Sequence, residues 1–338
     1  MSIRDWPEGD RPAEHPTAIY RRDLIRARED GSRSSSTVSA RMAVVMRFYQ
    51  WALQSGALIC RVKIFDPRTI TFRHRDQRGF EHQKTVISTS LHIPNKRQHP
   101  RPSLEGGLLP VNSEVRDKII QLAERHCSVE FQLILTLGFA TGMRLRSILD
   151  LKLGTLDQAM PGEVSGLRYL LIGPRHGVST KFSVNGRVLI PLALLERLQA
   201  YRMSLRRLRR VAKAMSNDSE LLFLNRFGKR YGRRNIDRSP SINMDMVRLR
   251  SIAAKERLDL RGFYFHCTRA TFGTSIVISG MRTEGVSLEA ILCRLTDLLM
   301  HKSETTSLLY IKYVEETNLI AEHEKSYSDW LFGLNSDD

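Results

Sequence analysis

Leu299-Met-His301-Lys-Ser303-Glu-Thr-Thr306-Ser-Leu-Leu-Tyr310 closes a set of six chemically matched positions, and that set decides how the chain reads. Upstream stand Arg144 in Thr141-Gly-Met-Arg-Leu-Arg-Ser-Ile148 and Lys181 in Thr180-Lys-Phe-Ser-Val-Asn-Gly-Arg187. His266 and Arg269 follow in His-Cys-Thr-Arg, ahead of His301 and Tyr310. Two guanidiniums can clamp the non-bridging oxygens of a phosphate, because each offers forked donors and keeps its charge. A lysine and a histidine can move protons, and a tyrosine hydroxyl can attack phosphorus. No carboxylate pair and no metal-ligand cluster competes for that role, so no metal and no cofactor is expected. Each position alone is ordinary: a surface arginine, a solvated lysine, a core tyrosine. Together they suit a phosphodiester.

Charge agrees. The chain has 338 residues, with 53 Lys+Arg against 36 Asp+Glu and a net charge of +17. Such an excess suits a polyanion, since neutralising phosphates releases counterions. Hydrophobic content of 41% supports packed cores, and the length suits two domains. Cys60, Cys127, Cys267 and Cys293 form no C-x-x-C pair and read as buried small apolar residues in a reducing compartment. Met1 to Asp30 is charged, carries Pro7, Pro12 and Pro16, and does not resemble a signal peptide. With no apolar run of about 20 residues, no membrane contact is expected and the reading is cytoplasmic.

Helical spacing predicts a helix over 18–28 and a second one capped by Ser36 or Thr37 and running to about Ser55. The second has an apolar stripe of Val38, Met42, Val45, Tyr49 and Leu53. Residues 69–73 and 85–88 read as strands, and the basic stretch from His92 to Pro102 reads as a linker. The expected domains are therefore 1–105 and 106–338. In the second, helices are predicted over 113–127, 131–140, 145–151, 194–214, 244–257, 268–279, 288–300 and 305–316, with one more over 318–327. Short strands are predicted over 167–172, 179–184 and 187–191. Asn185-Gly186 signals a tight hairpin that would place Lys181 on a strand. Arg144 falls at a helix start, after the break at Gly142. The fold class is mainly α with a small antiparallel sheet.

In this order the motifs resemble those of the tyrosine recombinase (phage integrase) family. Thr141-Gly-Met-Arg144-Leu-Arg-Ser-Ile is similar to the family's T-G-x-R-x-x-E-[IL] box, and Thr180-Lys181 with Gly186-Arg187-Val-Leu-Ile-Pro191 to its lysine hairpin. His266-Cys-Thr-Arg269 is similar to H-x-x-R, and the stretch from Leu299 to Tyr310 to L-G-H-x-S-x-x-[TS]-T-x-x-Y. The resemblance covers about residues 108–318 and, more loosely, Ser36–Gly56. Ser147 stands where the family has Glu, Ala270 where a second His is common, and Met300 where it has Gly.

The resemblance implies a small helical core-binding domain before an α+β catalytic domain, the two forming a C-shaped clamp on double-stranded DNA. It implies a 3′-phosphotyrosine at Tyr310, with Arg144 and Arg269 stabilising the pentacoordinate phosphorus. Lys181 would protonate the leaving oxygen, His266 would serve as acid or base for the tyrosine, and His301 would bond the phosphate. The implied activity is site-specific recombination or integration for a mobile element in a bacterial or phage setting. The implied assembly is a tetramer on two DNA sites, with accessory bending or directionality proteins as possible partners. A type IB topoisomerase-like relaxase and a catalytically inactive DNA-binding regulator share the same features and remain open here.

Overall fold

The computed structural model describes residues 15–58, 63–75, 81–95, 104, 107–232 and 239–331. Most of the 92–102 stretch lies outside the described residues, as do residues 1–14 and the side chains of Trp330, Leu331 and Phe332. The chain divides into two compact units, Met1–Pro100 and Arg101–Asp338.

The first unit contains α1 (Pro16–Glu29), α2 (Ser35–Gln54) and an antiparallel hairpin of β1 (Pro67–Arg75) and β2 (Glu81–Thr89), in register from Pro67 opposite Thr89 to Arg75 opposite Glu81. The cap of α2 is Ser34, not Ser36 or Thr37: its backbone is extended and its Oγ accepts the Thr37 N–H at 3.3 Å. Val38, Met42 and Ala52 are buried against Leu24 and Ile93, whereas Leu53, expected in the stripe, is exposed. A 3.6-residue period reaches position 52 after 38, 42, 45 and 49, so the step to 53 overshoots the buried face.

The second unit opens with α3 (Ser113–His126), α4 (Val129–Thr141), α5 (Leu145–Leu149) and α6 (Leu153–Asp157). A three-stranded antiparallel sheet follows, β3 (Met160–Pro161), β4 (Leu167–Ile172) and β5 (Gly186–Pro191), ordered β3-β4-β5. Then come α7 (Leu192–Met203), α8 (Leu205–Val211), α9 (Pro240–Lys255), α10 (Cys267–Arg282), α11 (Leu288–Leu298) and α12 (Glu304–Leu331). At the centre runs α4, apolar all round, with Phe131, Ile134, Leu135 and Leu137 fully buried. Each such side chain contributes roughly 1.5–3 kcal/mol by leaving water, which makes α4 the spine on which α10, β5 and α5 are hung. A second apolar cluster joins α10, α11 and α12 through Ala270, Phe272, Leu295, Leu298 and Tyr310.

Three expectations are corrected. The predicted helix over 194–214 is two helices, because Ser204 adopts an extended backbone and caps α8, its Oγ accepting the Arg207 N–H at 3.3 Å. The basic run it carries is largely paired within the fold, with Arg207 and Arg210 buried and Arg209 exposed. Arg202 pairs with Asp157, Arg206 and Arg210 reach the fully buried Glu130, and Arg207 donates to the Leu221 and Leu222 carbonyls. Burial works to raise the Glu130 carboxyl, but the Arg206 hydrogen bond and the Arg210 charge hold it below its usual range. These arginines fasten α8 to α4 and do not belong to a polyanion footprint. The separate helices over 305–316 and 318–327 are one helix of 28 residues, about 42 Å long, since no Gly or Pro interrupts it. The cysteines are not uniformly buried: Cys267 is, Cys127 is half-buried and Cys293 is exposed, while Cys60 lies outside the described residues. Among the described residues no helix is long and apolar enough to cross a membrane.

Candidate active site

Arg144 owes its place to the turn before it. Gly142 ends α4 with φ +63, and a Cβ there would stand 2.5 Å from Phe272 and 2.7 Å from Leu299, so only glycine fits. Met143 then turns into the core at 4% exposure, and Arg144 emerges half-buried at the N-cap of α5. With five residues, α5 has little dipole to offer an anion, so the turn, not the helix, positions this arginine.

Lys181 is not on a strand. The segment predicted as a strand over 179–184 belongs to the connection from Gly173 to Asn185 between β4 and β5, and Lys181–Ser183 is a single 3-10 turn. Asn185-Gly186 makes no two-residue hairpin. Gly186 already pairs with Ile172, and the Asn185 Oδ1 accepts the Arg175 N–H at 3.0 Å, closing a wide loop. That loop is fixed at Ser179 from two sides. Ser147 Oγ donates to the Ser179 carbonyl at 2.9 Å, and the Ser179 N–H donates to Asp150 Oδ2 at 2.7 Å. Ser147, which stands where the resemblance expects Glu, thus supports the lysine loop together with Asp150. Sequence reading missed Asp150, whose one signal was its place six residues after Arg144. Thr180 Oγ1 donates to the Val184 carbonyl at 2.6 Å and tightens the turn. Lys181 itself is exposed.

Arg269 sits in the first turn of α10 at 2% exposure. Its Nη1 donates to the Gly142 carbonyl at 2.8 Å and its Nη2 to the Leu299 carbonyl at 2.7 Å. One guanidinium therefore ties the Arg144 turn to the stretch leading to His301. His266 is the N-cap residue of α10 and is half-buried. Of the three residues before it, Phe263 and Phe265 are buried, but Tyr264 is 59% exposed.

Two adjoining hollows collect these groups. A cleft of about 320 Å³ is lined by Arg144, Lys181, His266, Asn243 and Tyr264, among others, and among the described residues no carboxylate lines it. A pit of about 20 Å³, room for one water-sized group, is lined by Arg144, Lys181, Arg269 and Met300. Met300 adopts φ +50, a conformation costing a side-chain-bearing residue about 1–3 kcal/mol, at the position where the resemblance expects Gly. Its side chain packs against Gly186 and helps close the pit.

His301 and Tyr310 line neither hollow. His301 is 8% exposed, and its Nδ1 is 2.8 Å from Ser307 Oγ, which Thr296 Oγ1 reaches at 2.7 Å. The Tyr310 ring stands 5.9 Å from the His301 ring, centroid to centroid, and is fully buried. It crosses α10 at Gly273, where a Cβ would come within 2.4 Å of Tyr310 Cε1. The structure thus gathers Arg144, Lys181 and His266 along the cleft, with the buried Arg269 at the floor of the adjoining pit and His301 and Tyr310 paired in the core of α10–α12.

No protein-family model matches the sequence, and no curated protein does. Solved structures do. The XerH site-specific recombinase, in a post-cleavage complex with a palindromic difH substrate, superimposes with a TM-score of 0.54 at 14% identity, over 96% of this chain and 74% of that one. The Tn1549 transposon integrase, in complex with a circular intermediate DNA, gives 0.52 at 12% identity, over 91% and 85%. The fold is that of the tyrosine recombinases. A lambda integrase dimer bound to a core site gives 0.50 at 16% identity, over 90% and 82%. The tyrosine recombinase fold accounts for the mainly helical second unit with its small antiparallel sheet, as the sequence motifs implied.

Proposed function

We propose that this chain is a site-specific recombinase that cleaves and rejoins duplex DNA through a 3′-phosphotyrosine at Tyr310, in the service of a mobile element. The observation that carries the reading is the pit where Arg144, Lys181 and Arg269 meet, with His266 on the adjoining cleft. The neighbours' DNA complexes supply the substrate class.

In the reaction, Arg144 and Arg269 face the scissile phosphate and stabilise the charge that builds on its non-bridging oxygens. The Tyr310 oxygen bonds to phosphorus while the bond to the 5′ oxygen breaks, and Lys181 gives that oxygen its proton. His266 takes the tyrosine proton, and His301 bonds the phosphate from beside Tyr310. The phosphotyrosine conserves the bond energy, so the free 5′ hydroxyl can reverse the step without a nucleotide. Because Tyr310 is fully buried, attack requires α12 to shift so that the hydroxyl reaches the cleft. DNA binding supplies the energy for that shift.

The topoisomerase-like alternative is less well supported, because α12 is uncovered over residues 315–321. Residues 315–321 of this helix are all exposed, with Leu319 64% and Ile320 43% accessible, and the helix continues to Leu331. An exposed stretch carrying Leu319 and Ile320 suits a neighbouring copy, as cyclic exchange in a tetramer on two DNA sites would require.

A duplex nicked so that the cleaved fragment diffuses away tests the reading. The protein should accumulate as a covalent adduct in chelator and without nucleotide. Binding with no adduct would leave only the inactive regulator. Lys181→Ala should slow cleavage of ordinary DNA yet recover on a substrate whose 5′ bridging oxygen is sulfur, since a thiolate leaves without a proton. Equal defects on both substrates would reduce Lys181 to a phosphate contact.

A further inference from the structure

The loop that carries Lys181 also carries a residue that the proposed chemistry does not use. Phe182 is 65% exposed and adopts φ +65, with Ser183 following at φ +54. One exposed phenylalanine is unremarkable, but a bulky aromatic in the left-handed region is a genuine outlier. It persists because the turn is fixed from both ends, by the Ser179 bonds to Ser147 and Asp150 and by the Thr180–Val184 bond. Strain held in place in this way gathers where a side chain must point in a direction that the relaxed backbone would not allow.

The surroundings of the ring indicate its role. The Lys181 Nζ lies 5.1 Å from the ring centroid and the Lys302 Nζ 5.7 Å, both within cation–π range. The two ammoniums come from different segments, one from the β4–β5 connection and one from the residue after His301. Phe182 thus has two ammoniums within range, and its neighbour Lys181 lines a cleft that also holds Arg144 and His266 and, among the described residues, is lined by no carboxylate. An exposed aromatic flanked by cations is the arrangement that stacks on a nucleobase while its neighbours take phosphates, and apolar side chains wedged into base steps unstack and kink duplexes.

We propose that Phe182 is a stacking wedge that presses on a base step beside the scissile phosphate and partly unstacks it, with Lys302 taking a flanking phosphate while Lys181 stays on the leaving oxygen. The proposal rests on the DNA-cleaving reading above and adds a shape-dependent element of site choice to it, since steps that unstack easily would be cut in preference. The alternative role for the ring is internal, as a bridge between the two lysine-bearing segments.

The two roles separate in solution with the full-length protein. Phe182→Trp places a fluorophore at the wedge, and the wild-type protein supplies the background of Trp6, Trp51 and Trp330. The added emission should be strongly quenched by short duplex DNA and far less by heparin, which offers charge without bases. Wild-type protein should also bind a duplex with one mismatched step more tightly than the fully paired one, on the order of tenfold. Phe182→Leu, still apolar but unable to stack, should lose that preference. Equal quenching by heparin and DNA, or a mismatch preference that survives in Phe182→Leu, would overturn the wedge while leaving the recombinase reading intact. Failure of the wild-type protein to bind any duplex would remove both.

Discussion

Tyr310→Phe should abolish covalent attachment to the nicked duplex while leaving affinity for the same duplex within a few-fold. The hydroxyl performs the chemistry and the ring does the packing. The ring fills the crossing of α12 over α10 at Gly273, and phenylalanine fills it equally well. Loss of a covalent nucleophile costs on the order of 10⁶-fold where it has been measured in a hydrolase, so residual adduct should be undetectable. Tyr313 is the rival, one turn along the same helix. It is half-buried, and burial pushes its phenol above the ordinary value. Tyr310 is more deeply buried still, so its pairing with His301, and not acidity, sets it apart. An adduct that persists in Tyr310→Phe and disappears in Tyr313→Phe would transfer the role to Tyr313.

The helical part of the fold was legible because α3, α4, α9, α10 and α11 carry strong periodic or wholly apolar patterns, with breaks at Gly142 and near Ser113 that have a local cause. The lysine loop was not legible. Alternation over 179–184 and the Asn-Gly pair imitate a hairpin strand, yet the loop is set by Ser147 and Asp150, whose bonds to Ser179 span 32 and 29 positions and leave no local trace. The pairing of Arg206 and Arg210 with Glu130 and the burial of Arg207 were equally hidden, since a run of arginines reads the same whether it meets DNA or a buried glutamate. At the candidate site, residue types and their order singled out Arg144, Lys181, His266 and Arg269, which the fold brings to two adjoining hollows. The burial of Tyr310, the strained Met300 and the exposed Phe182 depend on how α10, α11 and α12 pack, which no motif encodes.

Arg144→Ala and Arg269→Ala should each slow single-turnover cleavage by roughly 10²–10³-fold or more, the scale for losing one donor to a developing oxyanion. Their effects on folding should diverge. Arg144 is half-buried and makes no ion pair among the described residues, so its removal should leave the melting temperature nearly unchanged. Arg269 is buried and holds the Gly142 and Leu299 carbonyls, so its removal strands two acceptors at about 1–3 kcal/mol each and should lower the melting temperature by several degrees. Lysine at 144 should restore little activity, because a single ammonium cannot fork across two phosphate oxygens. Lysine at 269 should fail twice, since one nitrogen cannot bridge Gly142 and Leu299 while also facing the phosphate. Paired melting curves and cleavage rates distinguish these outcomes. Near-normal cleavage by Arg144→Ala would take that arginine out of the phosphate clamp, and an unshifted melting curve for Arg269→Ala would mean that α10 is held to the Gly142 turn by packing alone.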